Sequence, residues 1–280
     1  MTAEDDCVVR PLTPGDAEEV LALVTFDGLG AGRLAEELAA ANDYHWMGLI
    51  DPAGRIRAVH RSMRWGDHLL LKGVFVEKSL RGSGAVLRLA FALREAARAA
   101  GCAGIAAWVE PHEPEAALAR VLRLRLSSTL LHRFEVRIAE DDEGRGIGFA
   151  ENSGVLTVGA AAGPPLVPDL LGSQAKRAPH GGSAARWVID GRRIVLSACP
   201  ARTIADLGEV VSAVRAPAGT GPVTTMELPL PAGDLAIALA LTGTGAKRLS
   251  RTPVRLGRWD FPVKPATRPV ATTAGAGRSG

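Results

Sequence analysis

Arg81-Gly82-Ser83-Gly84-Ala85-Val86 holds the residue types and spacing best suited to chemistry: two glycines one residue apart, beside a guanidinium, after the apolar run Val74-Phe75-Val76. Gly82 and Gly84 let the main chain approach a ligand without a side chain in the way. N–H groups presented by such a turn at a helix start form a site for a phosphate anion, and Arg81 adds positive charge beside it. From Val86 the residues Val86, Leu87, Leu89, Ala90, Leu93, Ala96 and Ala97 keep helical spacing, with Arg88, Arg94, Glu95 and Arg98 on the other face. A helix there aims its positive dipole end at the anion. The turn suits a pyrophosphate; a plain strand-to-helix connection is the competing reading.

The elements that must position this turn follow from local patterning. Cys7-Val8-Val9-Arg10-Pro11-Leu12 reads as a strand, and Thr13-Pro14-Gly15-Asp16 caps a helix with Glu18 and Glu19 in its first turn. A second helix is expected over Gly32 to Ala41. His45 to Ile50 and Arg55 to His60 flank the turn sequence Asp51-Pro52-Ala53-Gly54 as a hairpin. Next come a strand Leu69 to Val76, the glycine turn, a helix to about Ala100, a strand Gly104 to Val109, a helix Pro114 to about Leu126 and a strand Thr129 to Ile138.

On these residues the chain resembles the GNAT N-acetyltransferase superfamily. Val76 through Gly84 is similar to that family's acetyl-coenzyme A motif, a strand followed by Arg/Gln-x-x-Gly-x-Gly/Ala. Arg81-Gly82-Ser83-Gly84-Ala85-Val86 matches the first five positions. Val86 stands where the family prefers Gly or Ala, which either crowds the ligand or shifts the helix. The later family motif, approximately Asn-Pro-Ala-Ala-Leu-Ala-Leu-Tyr-Glu-Lys-Leu-Gly-Phe, is similar to Pro114 through Leu126. There Val121 replaces the Tyr that often protonates the departing thiolate, and Arg125-Leu126 replaces Gly-Phe.

The second half looks like the first. His45 to Asp51 with Arg55 to Val59 resembles Ala185 to Asp190 with Arg192 to Leu196, each a hairpin with a Trp in its first strand and an Asp at the turn. Thr225 to Leu230, a helix from about Asp234 to Thr242, Gly245 to Leu249 and a strand Pro253 to Trp259 repeat the final strand-helix-strand. Thr203 to Arg215 reads as a helix, but no Arg-x-x-Gly-x-Gly turn introduces it. The expected fold is α/β (α+β): two tandem GNAT-like domains, each a mixed, mostly antiparallel twisted sheet flanked by helices. The expected division is residues 1–140 as the acetyl-CoA-binding domain, 141–153 as linker, 154–263 as a degenerate second domain and 264–280 as a disordered tail. A chance likeness between unrelated hairpins is the competing reading.

The resemblance implies acetyl-CoA as co-substrate. Its pyrophosphate and 3',5'-ADP would rest on Arg81, Gly82, Ser83, Gly84, Ala85 and Val86, with Lys78 or Arg88 at the rim. The N–H groups of Phe75 and Val76 would lie nearest the thioester. Acyl transfer to an amine needs a base, for which Glu110 and His112 after the fifth strand and Asp67 and His68 before the fourth are the candidates. Each has a structural alternative, as a capped helix entry or a hairpin turn. Tyr44, His45 and Trp46 would line the acceptor pocket or pack a strand entry. The acceptor is an amine of a small molecule or peptide. A catalytically silent GNAT-like protein that binds CoA or another ligand, or serves as a structural partner, is the alternative.

Composition excludes other classes. The chain of 280 residues is 47% hydrophobic, enough for a packed core. Cys7, Cys102 and Cys199 lie far apart with no metal-ligand spacing, so buried thiols and no metal are expected. A net charge of +3 with one Tyr and six Phe gives little for base stacking, so nucleic acid is not an expected partner. No run approaches the roughly 20 apolar residues of a membrane span, and the acidic start Met1-Thr2-Ala3-Glu4-Asp5-Asp6 is unlike a signal peptide. A cytoplasmic monomer or homodimer is expected.

Overall fold

The computed structural model describes residues 6–24, 30–40, 44–111, 114–137, 153–158, 167, 170–171, 183–199, 223–234 and 245–262. Strand β1 (Val8–Pro11) leads through a single turn at Pro14–Asp16, where the Asp16 carboxylate accepts from the Thr13 N–H and hydroxyl, into helices α1 (Ala17–Leu23) and α2 (Ala31–Ala39). Strands β2 (Tyr44–Ile50), β3 (Ile56–Trp65) and β4 (His68–Val76) follow, then helix α3 (Ala85–Ala99), β5 (Gly104–Val109), helix α4 (Pro114–Val121), the short β6 (Arg125–Leu126) and β7 (Leu131–Arg137). The second half supplies β8 (Ser153–Val158), β9 (Ser183–Asp190), β10 (Arg193–Leu196), β11 (Thr225–Pro231), β12 (Lys247–Arg248) and β13 (Arg255–Asp260).

These strands form two mixed sheets, a seven-stranded one in the order β1-β2-β3-β4-β5-β13-β6 and a six-stranded one in the order β12-β7-β11-β10-β9-β8. Each contains a parallel pair, β4 with β5 and β10 with β11, amid antiparallel neighbours. Each half also lends its last long strand to the other's sheet: β7 pairs with β11 and β12, whereas β13 lies between β5 and β6. The expected strand over 129–138 is thus seen as β7, but in the second sheet. Nothing in its alternating sequence distinguishes the two edges on which it could pair.

The internal likeness of the halves is shifted by one strand. The sequence comparison matches β2–β3 with β9–β10, but the parallel pairs place β9–β10 in the position of β3–β4. A hairpin with an Asp at its turn recurs within one meander, so its motif cannot fix which strand pair it represents. The expected helices over 203–215 and 234–242, the linker and the tail fall essentially outside the described residues.

Alternation along the strands assigns each face its cover. Leu69, Leu71, Ile105, Ala107 and Val109 pack against Leu89, Leu93 and Ala97 of α3. On the opposite face Met63, Trp65, Leu70, Ala106 and Trp108 pack against Val188, Ile194 and Leu228 of the second sheet. Helices α1 and α2 cover the rest of that face through Val20, Leu34 and Leu38, which meet Trp46, Ile50 and Val59. Every residue of β5 is buried because both of its faces are covered. All three cysteines are buried and in no disulfide. Among the described residues no helix is long and apolar enough to cross a membrane.

Helix α4 ends earlier than expected, at Val121. Arg123 takes the left-handed conformation at φ 53°, the Leu124 N–H closes onto the Ala119 carbonyl, and Leu124 is buried. Gly245, at φ 85° and followed by buried Ala246, is the second half's counterpart. The Gly-Phe positions of the family motif therefore fall on Arg123-Leu124, two residues before Arg125-Leu126, and the position of the proton-donating Tyr moves from Val121 to Ala119. Neither side chain can give a proton.

The junction of β5 with the exchanged β13 leaves no room beside Gly104, where a Cβ would fall on the Trp259 carbonyl oxygen and lie 3.0 Å from His68 Cδ2. Gly104→Ala is expected to destabilise the protein by about 2–3 kcal/mol, read as a lowered denaturant midpoint.

Candidate functional site

Strands β4 and β5 run together only from His68–Gly104 to Leu71–Ala107; beyond that point β4 continues from Lys72 to Val76 beside β3 alone. A register shift opposite Arg61 and Ser62 makes Lys72 the extra residue of a β-bulge where the strands part. The Glu77 N–H donates to the Arg57 carbonyl on β3, so ladder alternation turns the Phe75 N–H toward β3 and those of Val74 and Val76 toward the opening. The Val76 carbonyl, on the same side, accepts from Arg81 Nε at 3.2 Å. Of the two residues named from sequence, Val76 presents its N–H to the opening, and the Phe75 side chain packs under α1 and α2.

The glycine turn closes the opening at its far end. The Ser83 hydroxyl donates to the Leu80 carbonyl at 2.7 Å and accepts the Ala85 N–H at 3.1 Å, which fixes the turn from within. Among the described residues no acceptor meets the N–H groups of Gly82, Gly84, Val86 and Leu87, and these converge at the start of α3. A Cβ added at Gly82 or Gly84 would have no atom within 4 Å. The Val86 side chain is partly buried against the α3 core, so it packs away from this cradle. Exposed Arg81 and Lys78 stand at its rim, whereas Arg88 donates to the Cys7 carbonyl.

The candidate bases are dispersed. Glu110 lies just past β5 at the parted end, where its Oε1 accepts from the Thr252 N–H at 3.0 Å and hydroxyl at 2.8 Å. His68 sits at the closed end of β4, about 26 Å along the strand from Val76, with Nδ1 2.8 Å from Asp67 and Nε2 3.0 Å from Asp260 on β13. Asp67 is also held by Arg186 at 2.9 Å. That geometry clamps three strand ends and does not bring Asp67 or His68 to the opening. His112 lies outside the described residues.

Tyr44, His45 and Trp46 line a hollow of about 870 Å³ with Glu37, Arg64 and Ala96, beside the C-terminal half of α3. The glycine turn is at the other end of that helix, about 22 Å away. Burial first, and then Asp190 and Glu37, push the Tyr44 phenol up to about 12, so it stays protonated at neutral pH.

A buried ion network escapes the sequence reading. Across the bulge, Lys72 Nζ is 3.0 Å from Asp190, which also accepts from Arg61 and Arg33 at 2.9 Å; Arg61 in turn holds Glu37 at 2.6 Å. Burial pushes the Asp190 carboxyl up, but Lys72 and Arg61 outweigh it and hold it well below the usual carboxylate range. Nearby, Glu227 on β11 accepts from Arg133 at 2.6 Å and Arg193 at 3.3 Å; burial raises its pKa, but Arg133 and then Lys72 outweigh that and bring it to about 2. The available signal was a charge at a core-facing position of an apolar strand: Lys72, Asp190 and Glu227 each break such a run.

Comparison with known proteins gives fold-level likeness only. No family model matches the sequence, and no curated protein matches it. The structure is similar to a tandem GNAT protein from the clavulanic acid biosynthesis pathway, at 13% identity over 92% of this chain and 100% of that one, TM-score 0.47. It is also similar to a GNAT superfamily phosphinothricin acetyltransferase from Sinorhizobium meliloti in complex with AcCoA, at 15% identity over 50% of this chain and 83% of that one, TM-score 0.38. A third likeness is to PaiA N-acetyltransferase from Thermoplasma acidophilum in complex with coenzyme A, at 9% identity over 44% of this chain and 92% of that one, TM-score 0.38. With every TM-score below 0.5, these likenesses carry no functional argument.

Three substitutions have outcomes set by this geometry and electrostatics. Gly84, at φ −67° with open space around it, accepts a side chain, so Gly84→Val costs no more than about 1 kcal/mol of stability as an N-cap change. Gly82, at φ 87°, does not, and Gly82→Val costs about 1–2 kcal/mol more by denaturant unfolding. Because the Glu227 pKa is depressed on folding, its contribution is complete above its unfolded value near 4.3 and is lost as pH falls toward 2. Glu227→Gln should lose about 3–5 kcal/mol at pH 7 and show a shallower acid decline than wild type in urea unfolding at pH 7 and pH 3.

Proposed function

We propose that the protein transfers an acyl group from coenzyme A to the amine of a small molecule or peptide, acting in the cytoplasm. The observation that carries this reading is the set of backbone donors with no acceptor among the described residues, Val74 and Val76 in the β4–β5 opening and Gly82, Gly84, Val86 and Leu87 at the start of α3. The turn donors, with Arg81 and the α3 dipole, suit a pyrophosphate. The donors in the opening suit a carbonyl oxygen that gains negative charge as an amine attacks. Coenzyme A, when bound, supplies the acyl group as a thioester with a good leaving group. Glu110 is the described side chain best placed to take the amine's proton, directly or through water. With aliphatic Val121 and Ala119 at the two registers of the family acid, the departing thiolate takes its proton from water or from the substrate ammonium.

That missing acid favours a second reading, a GNAT-like protein that binds coenzyme A without turning it over. Release of coenzyme A thiol from acetyl-CoA across a panel of amines separates the two.

Acetyl-CoA should raise the thermal midpoint of the protein, since a ligand that binds only the folded state adds about 2.7 kcal/mol at a hundredfold excess over Kd. Gly84→Val should fold and lose this shift. No shift of wild type at millimolar acetyl-CoA would refute cofactor binding, and an undiminished shift in Gly84→Val would place the cofactor elsewhere.

A further inference from the structure

We infer that Trp108 and Arg133 form a recognition site for a carboxylate on the acceptor, so that the substrate is an amine that also carries an acid group; this rests on the acyl-transfer reading above. Trp108 follows Ala107, the last residue of β5 to pair with β4, and is therefore at the mouth of the opening. The residue is 7% exposed, and its Nε1 is fully buried with no hydrogen-bond partner among the described residues. An unpaired buried donor costs about 1–3 kcal/mol. Two other buried indoles in the same sheet avoid this: Trp46 donates to Glu37 at 3.2 Å, and Trp65 to the Val195 carbonyl at 3.3 Å.

Arg133 comes from the exchanged strand β7, and its guanidinium carbon lies 5.7 Å from the centre of the Trp108 ring. Its Nε donates to Glu227, which Arg193 also engages, but among the described residues neither terminal nitrogen, Nη1 or Nη2, meets an acceptor. The open end of that fork and the indole N–H together offer at least three donors. A carboxylate has the planar shape and the lone pairs to take them, whereas a carboxamide would set its own N–H groups against the same donors.

The side of the sheet identifies the occupant. Ala107 and Val109 face α3 and α4, the side on which the glycine turn opens, whereas Ala106 and Trp108 face the second sheet. A molecule on Trp108 would therefore lie on the face of the sheet opposite the glycine turn, which leaves the turn free for the cofactor. Glu110 is close enough to act on Arg133 electrostatically, so a carboxylate held by Arg133 would bring the rest of the same molecule toward Glu110.

The indole N–H resonances of the protein's five tryptophans provide the test, with Trp108→Phe identifying the one that belongs to Trp108. Glycine, β-alanine and L-glutamate are titrated without acetyl-CoA, alongside glycinamide and β-alaninamide. At least one acid should move the Trp108 resonance at millimolar concentration, the amides should not, and Arg133→Lys, which keeps the charge but loses the fork, should weaken the response about tenfold. Equal responses to acids and amides, or no response to any acid, overturn the inference. Acetyl-CoA binding is read separately by thermal shift. If the cofactor binds and no acid does, this inference alone fails; if an acid binds and the cofactor does not, the acyl-transfer reading fails and the anion site stands.

Discussion

The constraint on which the rest depends is the reciprocal exchange of β7 and β13. Neither half can complete its sheet alone, because the strand beside β5 comes from the end of the described chain and the strand beside β11 comes from its middle. With β13 covering one edge of β5, only the edge toward β4 can open, and the bulge at Lys72 opens it. The same exchange delivers Arg133 to Trp108 and His68 to Asp260, contacts between groups far apart in sequence.

Burying charge between two sheets is unfavourable unless every charge is answered, and here the answers cross between halves: Lys72 and Arg61 with Asp190, Arg133 with Glu227. These pairs replace apolar packing where the two sheets meet behind the opening. A polar, desolvated wall strengthens electrostatic interactions with whatever enters. The indole N–H of Trp108 shares with both ring nitrogens of His60 and with Arg193 Nε the lack of a hydrogen-bond partner among the described residues, and of these it is the one at the mouth of the opening.

Much of the first half was legible. The apolar run Leu69 to Val76, the glycine turn and the helical spacing from Val86 predict β4, the turn after it and α3 with boundaries close to those observed, because local patterning and special backbone geometry determine them. What the sequence left open depends on long-range pairing. Strand β7 has the same alternation whichever sheet it joins, and the hairpin likeness matched the wrong pair of strands. Arg123 hid the end of α4 by adopting a conformation usually left to glycine. The predicted site divides in the same way: the cradle residues Arg81 to Val86 stand together at a helix start, whereas Asp67, His68, Tyr44 and His45 lie toward the other end of the sheet. Lys72, Asp190, Trp108 and Arg133 meet only through the fold.

The central claim is that the donors of Val74, Val76, Gly82, Gly84, Val86 and Leu87 hold one ligand. A crystal structure with coenzyme A tests it most directly. The pyrophosphate is expected on the turn N–H groups at hydrogen-bond distance, with the pantetheine arm entering between β4 and β5 and the sulfur near the bulge at Lys72. A coenzyme A molecule bound elsewhere, or a pyrophosphate on the turn with the arm directed away from the opening, would contradict it.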